Sequence, residues 1–188
     1  MNIYSSSLCF ITSNVWVTIL FAFLIILLLS VLWFLYNWRK RATNENASIR
    51  TFSSKIQNTL NKLDTPQEKI DALNYALERV ESNDEYRKNL AWRSGLLITV
   101  YLYMVMEYDK MQDHQNIIKT CDSIIELNAK HALTYYNRGY TYLRMQKYNE
   151  AAADLDTYLN LDKKDKCGLR SEAEKLFAEA AKHIPSSN

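Results

Sequence analysis

The chain has 188 residues with 23 basic and 21 acidic side chains, and the first 38 residues contain no Asp, Glu, Lys or Arg. Arg39, Lys40 and Arg41 follow at once, so the remaining 147 residues carry 20 basic against 21 acidic groups, a net charge of about −1 that argues against nucleic acid as a partner. Those residues suffice for one modest domain with a single core, and three cysteines without a CxxC spacing argue against a disulfide framework or a zinc site.

Residues 15–36 form a hydrophobic run of 22 residues uninterrupted by charge. At about 1.5 Å per residue it extends roughly 33 Å, which predicts a single transmembrane helix. Val15 and Trp16 stand at one end, and Trp33, Tyr36 and Trp38 at the other, where amphipathic rings favour the headgroup layers. A secretory signal would want a basic start, a shorter apolar run and a small-x-small cleavage site, and none is present. A domain this small could not surround such a helix as a core element. The expected divisions are a short extracytoplasmic tail over 1–14, a membrane helix over 15–38, and a basic flank and tether over 39–46. Arg39, Lys40 and Arg41 place the C-terminal domain in the cytoplasm and the N-terminus outside by the positive-inside rule. Three charges carry that orientation, and the reverse stays open.

Periodicity begins beyond the flank. Ile49, Phe52, Ile56, Leu60 and Leu63 line one helical face, which either packs on the following helices or lies on the membrane surface. Thr65, Pro66 and Glu68 form a helix start, with Thr65 as cap, and Ile70, Leu73, Leu77 and Val80 make the buried stripe of a helix ending near Glu81. Ser82 and Glu85 repeat the capping pattern and open a helix to Lys110 or Met111, with a break possible near Ser94 and Gly95. Residues 47–97 therefore read as N-terminal helices, with a possible degenerate repeat within them.

Residues 132–165 then echo residues 98–131 in register. Seven positions are identical at a spacing of 34, including Tyr101 and Tyr135, Tyr108 and Tyr142, Met111 and Met145, and Leu127 and Leu161. The second unit reads Tyr135-x-x-Arg138-Gly139-x-x-Tyr142, then Ala151-x-x-x-Leu155; the first has Met104, Val105, Ile117 and Cys121 at the matching places. These residues resemble the tetratricopeptide repeat (TPR), a 34-residue helical hairpin. The resemblance implies an all-α stack in which Gly139 and Ala151 let two helices approach while Tyr101, Tyr108, Tyr135, Tyr142 and Leu155 fill the space. Val105 and Ile117 depart from the pattern, and Lys163 and Ala129 stand where a proline is usual. Two repeats leave an apolar flank, and residues 166–184 supply a capping helix: Ser171 and Glu174 make its capping box, and Leu176, Phe177, Ala180 and Ile184 its apolar face. Pro185 stops it, leaving a tail over 185–188.

The same resemblance implies that the first helix of each hairpin lines a concave groove. Its expected surface comprises Thr99, Leu102, Met106 and Lys110 from one unit and Leu133, Tyr136, Asn137, Tyr140 and Arg144 from the next, apolar and aromatic with two basic ends. Leu102 and Met106 occupy the places where some members of this family carry a carboxylate-holding lysine and asparagine. The alternative is that several of these residues pack against the N-terminal helices.

Enzyme chemistry is not expected. His114, His131 and His183 have no partners at metal spacing, three glycines exclude a Gly-rich phosphate loop, and Asp154 and Asp156 lie two apart on a helix, where each reads as a solvated surface charge. No cofactor or metal is implied. Two functional readings stand: a membrane-anchored adaptor whose TPR groove binds a protein partner, and a structural subunit of a membrane complex with the groove internally filled.

Overall fold

A computed structural model of the chain describes the backbone of residues 4–184 and the side chains from residue 23 onward, apart from Ala42, Glu85 and Arg87. Pro185 and the tail, and the side chains of Cys9, Val15 and Trp16, lie outside that description. Among the described residues the fold is all-α: α1 (Tyr4–Leu60), α2 (Pro66–Ser82), α3 (Asp84–Arg87), α4 (Leu90–Lys110), α5 (His114–Leu127), α6 (Ala132–Arg144), α7 (Tyr148–Leu161) and α8 (Arg170–Lys182). The chain divides into two units, residues 1–48 and 49–188.

The helix of the first unit is α1 up to residue 48. Phe23, Ile26, Trp33, Phe34 and their apolar neighbours are all exposed, and the helix is long and apolar enough to cross a membrane. It has no break at 39–46, where a tether was expected, and it includes most of the expected N-terminal tail. The chain holds no glycine or proline before Pro66, so nothing in the backbone chemistry of those stretches stops a helix once formed.

The second unit opens with the last turns of α1. Ile56 and Leu60 are buried with Ile70 and Leu73 of α2 and Val100 and Met104 of α4, and Phe52 packs beside them. The Ile49 to Leu60 face thus packs on helices rather than facing outward. At the start of α2 the expected cap forms in full: the Glu68 N–H donates to Thr65 Oγ1 at 3.2 Å and the Thr65 N–H donates to the Glu68 carboxylate at 3.1 Å. Leu77 of the predicted stripe is partly buried; Ile70, Leu73 and Val80 are buried.

The break before α4 falls at Lys88 and Asn89, not near Ser94 and Gly95. Asn89 accepts the Trp92 N–H at 3.2 Å, and an asparagine that bonds its own chain in this way starts a helix rather than continuing one. Tyr86 of α3 meets Trp92 edge-on with ring centroids 4.8 Å apart, which fixes the fold-back. Asn83, not Ser82, accepts the Tyr86 N–H. The possible degenerate repeat is therefore α2, a four-residue α3 and the start of α4, and not two helices of one hairpin.

From α4 to α7 the two units of 34 residues are two hairpins, α4 with α5 and α6 with α7. Tyr136 meets Tyr158, Gly139 meets Leu155, and Tyr142 packs by Ala151, so the strands of sequence run in opposite directions. A Cβ on Gly139 would lie 3.0 Å from Leu155 Cγ, 3.1 Å from Asp154 Cβ and 3.3 Å from the Ala151 carbonyl, which is the reason a glycine stands there. Both hairpins turn the same way. The Gln112 and Asp113 N–H groups donate to the Asp109 and Tyr108 carbonyls, each at 3.0 Å; the Gln146 and Lys147 N–H groups donate to the Leu143 and Tyr142 carbonyls, each at 2.9 Å. This is the Schellman cap, with φ of 60° at Gln112 and at Gln146.

The last helix closes the stack: Ala173 is buried with Tyr158 and Leu155, and Ala180 with Ala151 and Ala152. It begins without a Ser171 capping box. Asp165 Oδ1 accepts the Arg170 N–H at 3.0 Å, while Asp162 accepts the N–H groups of Lys166 and Cys167, both at 2.9 Å. Leu169 is the N-cap, because these upstream carboxylates organise the turn before Ser171 is reached.

Candidate functional site

Tyr136 and Tyr140, one turn apart on α6, stack with ring centroids 6.5 Å apart and planes 3° from parallel. Tyr136 is nearly buried and its far side meets Tyr158 edge-on at 5.5 Å, so it is anchored in the core; Tyr140 is 39% exposed. The pair forms one wall of a groove of about 340 Å³ lined also by Val105, Met106, Asp109, Ile117, Asn137, Thr141 and Glu172. Val105 and Ile117 come from the first hairpin, the tyrosines and Asn137 from the second, and Glu172 from α8. A surface built by two hairpins and their closing helix exists only when the stack is assembled.

Of the residues read from sequence, Met106, Tyr136, Asn137 and Tyr140 are brought together here. Met106 is 55% exposed, and a large apolar side chain so placed is free for contact. Leu133 sits in the core cluster with Tyr158 and Ala173. Leu102 and Thr99 are partly buried away from the lining, and the Thr99 hydroxyl donates to the Gly95 carbonyl at 2.8 Å. Lys110 turns back one turn to Glu107, with Nζ at 2.7 Å from a carboxylate that is itself buried. Arg144 crosses to the first hairpin, where it pairs with Asp109 and donates to Gln112 Oε1 at 2.6 Å; its guanidinium carbon stands 5.7 Å from the Tyr140 centroid. Both basic ends are therefore engaged within the chain.

Of the residues expected to pack the hairpins, Ala151 and Leu155 are fully buried, Tyr101 and Tyr108 pack on the α1, α2 and α4 core, and Tyr135 and Tyr142 of α6 pack beside residues of α7 and α8. The Tyr135 hydroxyl donates to the Ala129 carbonyl at 3.1 Å, tying α6 to the loop before it. Sequence reasoning missed Arg138. It donates from Nε and Nη2 to the two Asp154 oxygens, each at 2.7 Å, and also pairs with Asp122 of α5. Asp154 is buried, not a solvated surface charge, because it is the counter-ion of an arginine standing where Met104 stands in the other hairpin. An arginine at an inward position was the available signal, since such a group demands a carboxylate.

Electrostatics follow burial. Tyr136 is pushed up to about 12 by desolvation, with the neighbouring Glu172 carboxylate adding to the effect, so its hydroxyl stays protonated. Burial pushes the Cys121 thiol up to about 12 as well, which disfavours its thiolate form. Among the described residues no group of three or more metal-ligating side chains converges.

No protein-family profile matches the chain. A stretch of 58 residues, 31% of the chain, is 41% identical to serine/threonine-protein phosphatase 5 of Homo sapiens and of Rattus norvegicus, and the Mus musculus protein matches at the same identity and length. The chain spans about 12% of the length of these curated relatives. This short similarity and the all-helical hairpin architecture fit a TPR-like helical repeat.

Proposed function

We propose that the chain is a membrane-anchored interaction adaptor, without catalytic activity of its own, that holds a segment of a protein partner in the groove between its hairpins. The observation that carries this reading is the Tyr136 and Tyr140 stack: a rigid aromatic wall, anchored on Tyr158 and facing exposed Met106 across an apolar floor. Aromatic side chains held this way give contact area at low entropic cost, the property of residues that dominate protein interfaces. The exposed apolar residues of α1 support anchoring over residues 15–38, with the basic Arg39, Lys40 and Arg41 flank on the cytoplasmic side.

Co-purification from intact membranes tests the reading, comparing the native chain with Met106→Ala combined with Tyr140→Ala. Both side chains are exposed, so the variant keeps its helicity and membrane fraction while the partner is lost. Undiminished co-purification would favour the structural-subunit reading, with contacts made elsewhere on the chain. Recovery of the native chain in the soluble fraction after alkaline extraction would contradict the anchor.

A further inference from the structure

The charge lining the groove selects what enters it. Two carboxylates, Asp109 and Glu172, face the groove, and no lysine or arginine is among its described lining residues. Asp109 is neutralised by Arg144 at the rim. Glu172, in the first turn of α8, lines the groove together with Tyr136, and none of the ion pairs among the described residues uses it. The other cations nearby are committed: Lys110 to Glu107, and Arg138 to Asp122 and Asp154. An uncompensated negative charge therefore stands at one end of a stacked tyrosine pair, where it attracts a cation.

Resting on the groove reading above, we infer that the occupant is a cationic protein segment, which lays an apolar side chain against Met106 and Tyr140 and brings a lysine or arginine to the Glu172 carboxylate. Asn137 offers an amide to the backbone of such a segment, and Val105 and Ile117 form the apolar floor. An acidic segment would meet Glu172 without compensation and would be rejected, as would a phosphate-bearing ligand.

The test is selection of heptapeptides from a random phage-displayed library on the immobilised full chain in detergent micelles. Recovered peptides are expected to carry Lys or Arg beside an apolar residue, and to lose binding to Tyr140→Ala. Their affinity is expected to fall about tenfold with Glu172→Lys and less with Glu172→Gln, while Lys175→Glu, an exposed position on the same helix, leaves it unchanged. Glu172 is exposed, so circular dichroism and the melting temperature of its variants should match the native chain. Neutral or acidic peptides that need Tyr140 and ignore Glu172→Lys would overturn the cationic inference and leave the groove standing. Peptides indifferent to Tyr140→Ala, or none above background, would remove both.

Discussion

Arg138 and Asp154 meet through two parallel bonds of 2.7 Å across the second hairpin, and the same guanidinium reaches Asp122 of the first. One side chain thus joins α5, α6 and α7, with the Tyr135 ring 5.7 Å away. The bond to Asp154 raises the Arg138 pKa further, so the guanidinium stays charged. The first hairpin has Met104 and Thr120 in the matching places. Replacing Asp154 by Ala is expected to cost about 3 kcal/mol in urea denaturation, because a largely buried cation loses its bidentate partner. Arg138→Met with Asp154→Thr, which transplants the first hairpin's solution, should recover most of that loss. An additive double variant would show that the pair is not coupled.

Gln112 and Gln146 both sit at φ of 60°, a conformation in which a Cβ is unfavourable by about 1–2 kcal/mol and which glycine adopts freely. Gln112→Gly and Gln146→Gly are each expected to stabilise by about 1 kcal/mol or slightly less, since glycine also gains freedom in the unfolded chain. Gln146→Val should destabilise. Midpoints of chemical denaturation read both signs.

Glycines at two places should respond differently to an added methyl. At Gly139 the new Cβ meets fully buried Leu155 and the Ala151 backbone, neither of which can move without opening the hairpin. Gly139→Ala should cost about 1–3 kcal/mol despite the better helix propensity of alanine. At Gly95 the conflict, 2.7 Å, is with the terminal Cδ1 of Ile49, a flexible end that can swing aside. Gly95→Ala should be near neutral in melting temperature.

Asp162 is buried and its pKa lies below the ordinary carboxylate range, chiefly through the Cys167 and Lys166 N–H groups. A depressed folded-state pKa contributes stability above the unfolded value, about 3.9, and that contribution is lost as pH falls through the folded value. Asp162→Asn should therefore lower the melting temperature at neutral pH and flatten its decline below about pH 4. Equal declines in both proteins would contradict this role.

The cysteines offer a check on burial. In a Cys9→Ser background, Cys167 is exposed and should react with iodoacetamide in the folded protein, whereas Cys121, buried with its thiol raised to about 12, should react only on unfolding. Mass spectrometry of the labelled peptides distinguishes the two.

The 34-residue echo made the hairpins legible, because the same spacing that repeats tyrosines at 101 and 135 also repeats the turn at Gln112 and Gln146. Gly139, Ala151 and Leu155 were readable for the same reason: close helix approach needs small residues facing a large one. Arg138 was less legible, since a charge at an inward position is interpretable only once its carboxylates are found, and Asp154 looks like a surface residue beside Asp156. The break at Lys88 and Asn89 was hidden by the stronger capping pattern from Ser82 to Glu85, and the start of α8 by the Ser171 pattern, which Asp162 and Asp165 pre-empt. Within the groove, Tyr136, Tyr140, Met106 and Asn137 followed from the resemblance to the tetratricopeptide repeat, which implies that the first helix of each hairpin lines it. Its charge did not, because Arg144 and Lys110 are cancelled by Asp109 and Glu107, contacts that no spacing rule specifies, and Glu172 comes from a helix outside the repeats.

The most direct measurement is site-specific photo-crosslinking in intact membranes, with a photoreactive residue at Tyr140 and, separately, at exposed Lys175. A discrete adduct is expected from Tyr140 that is absent from Lys175, that is diminished by Glu172→Lys, and whose crosslinked peptide carries lysine or arginine. The same adducts from both positions, or adducts from Lys175 alone, would contradict the groove as the place where this chain holds its partner.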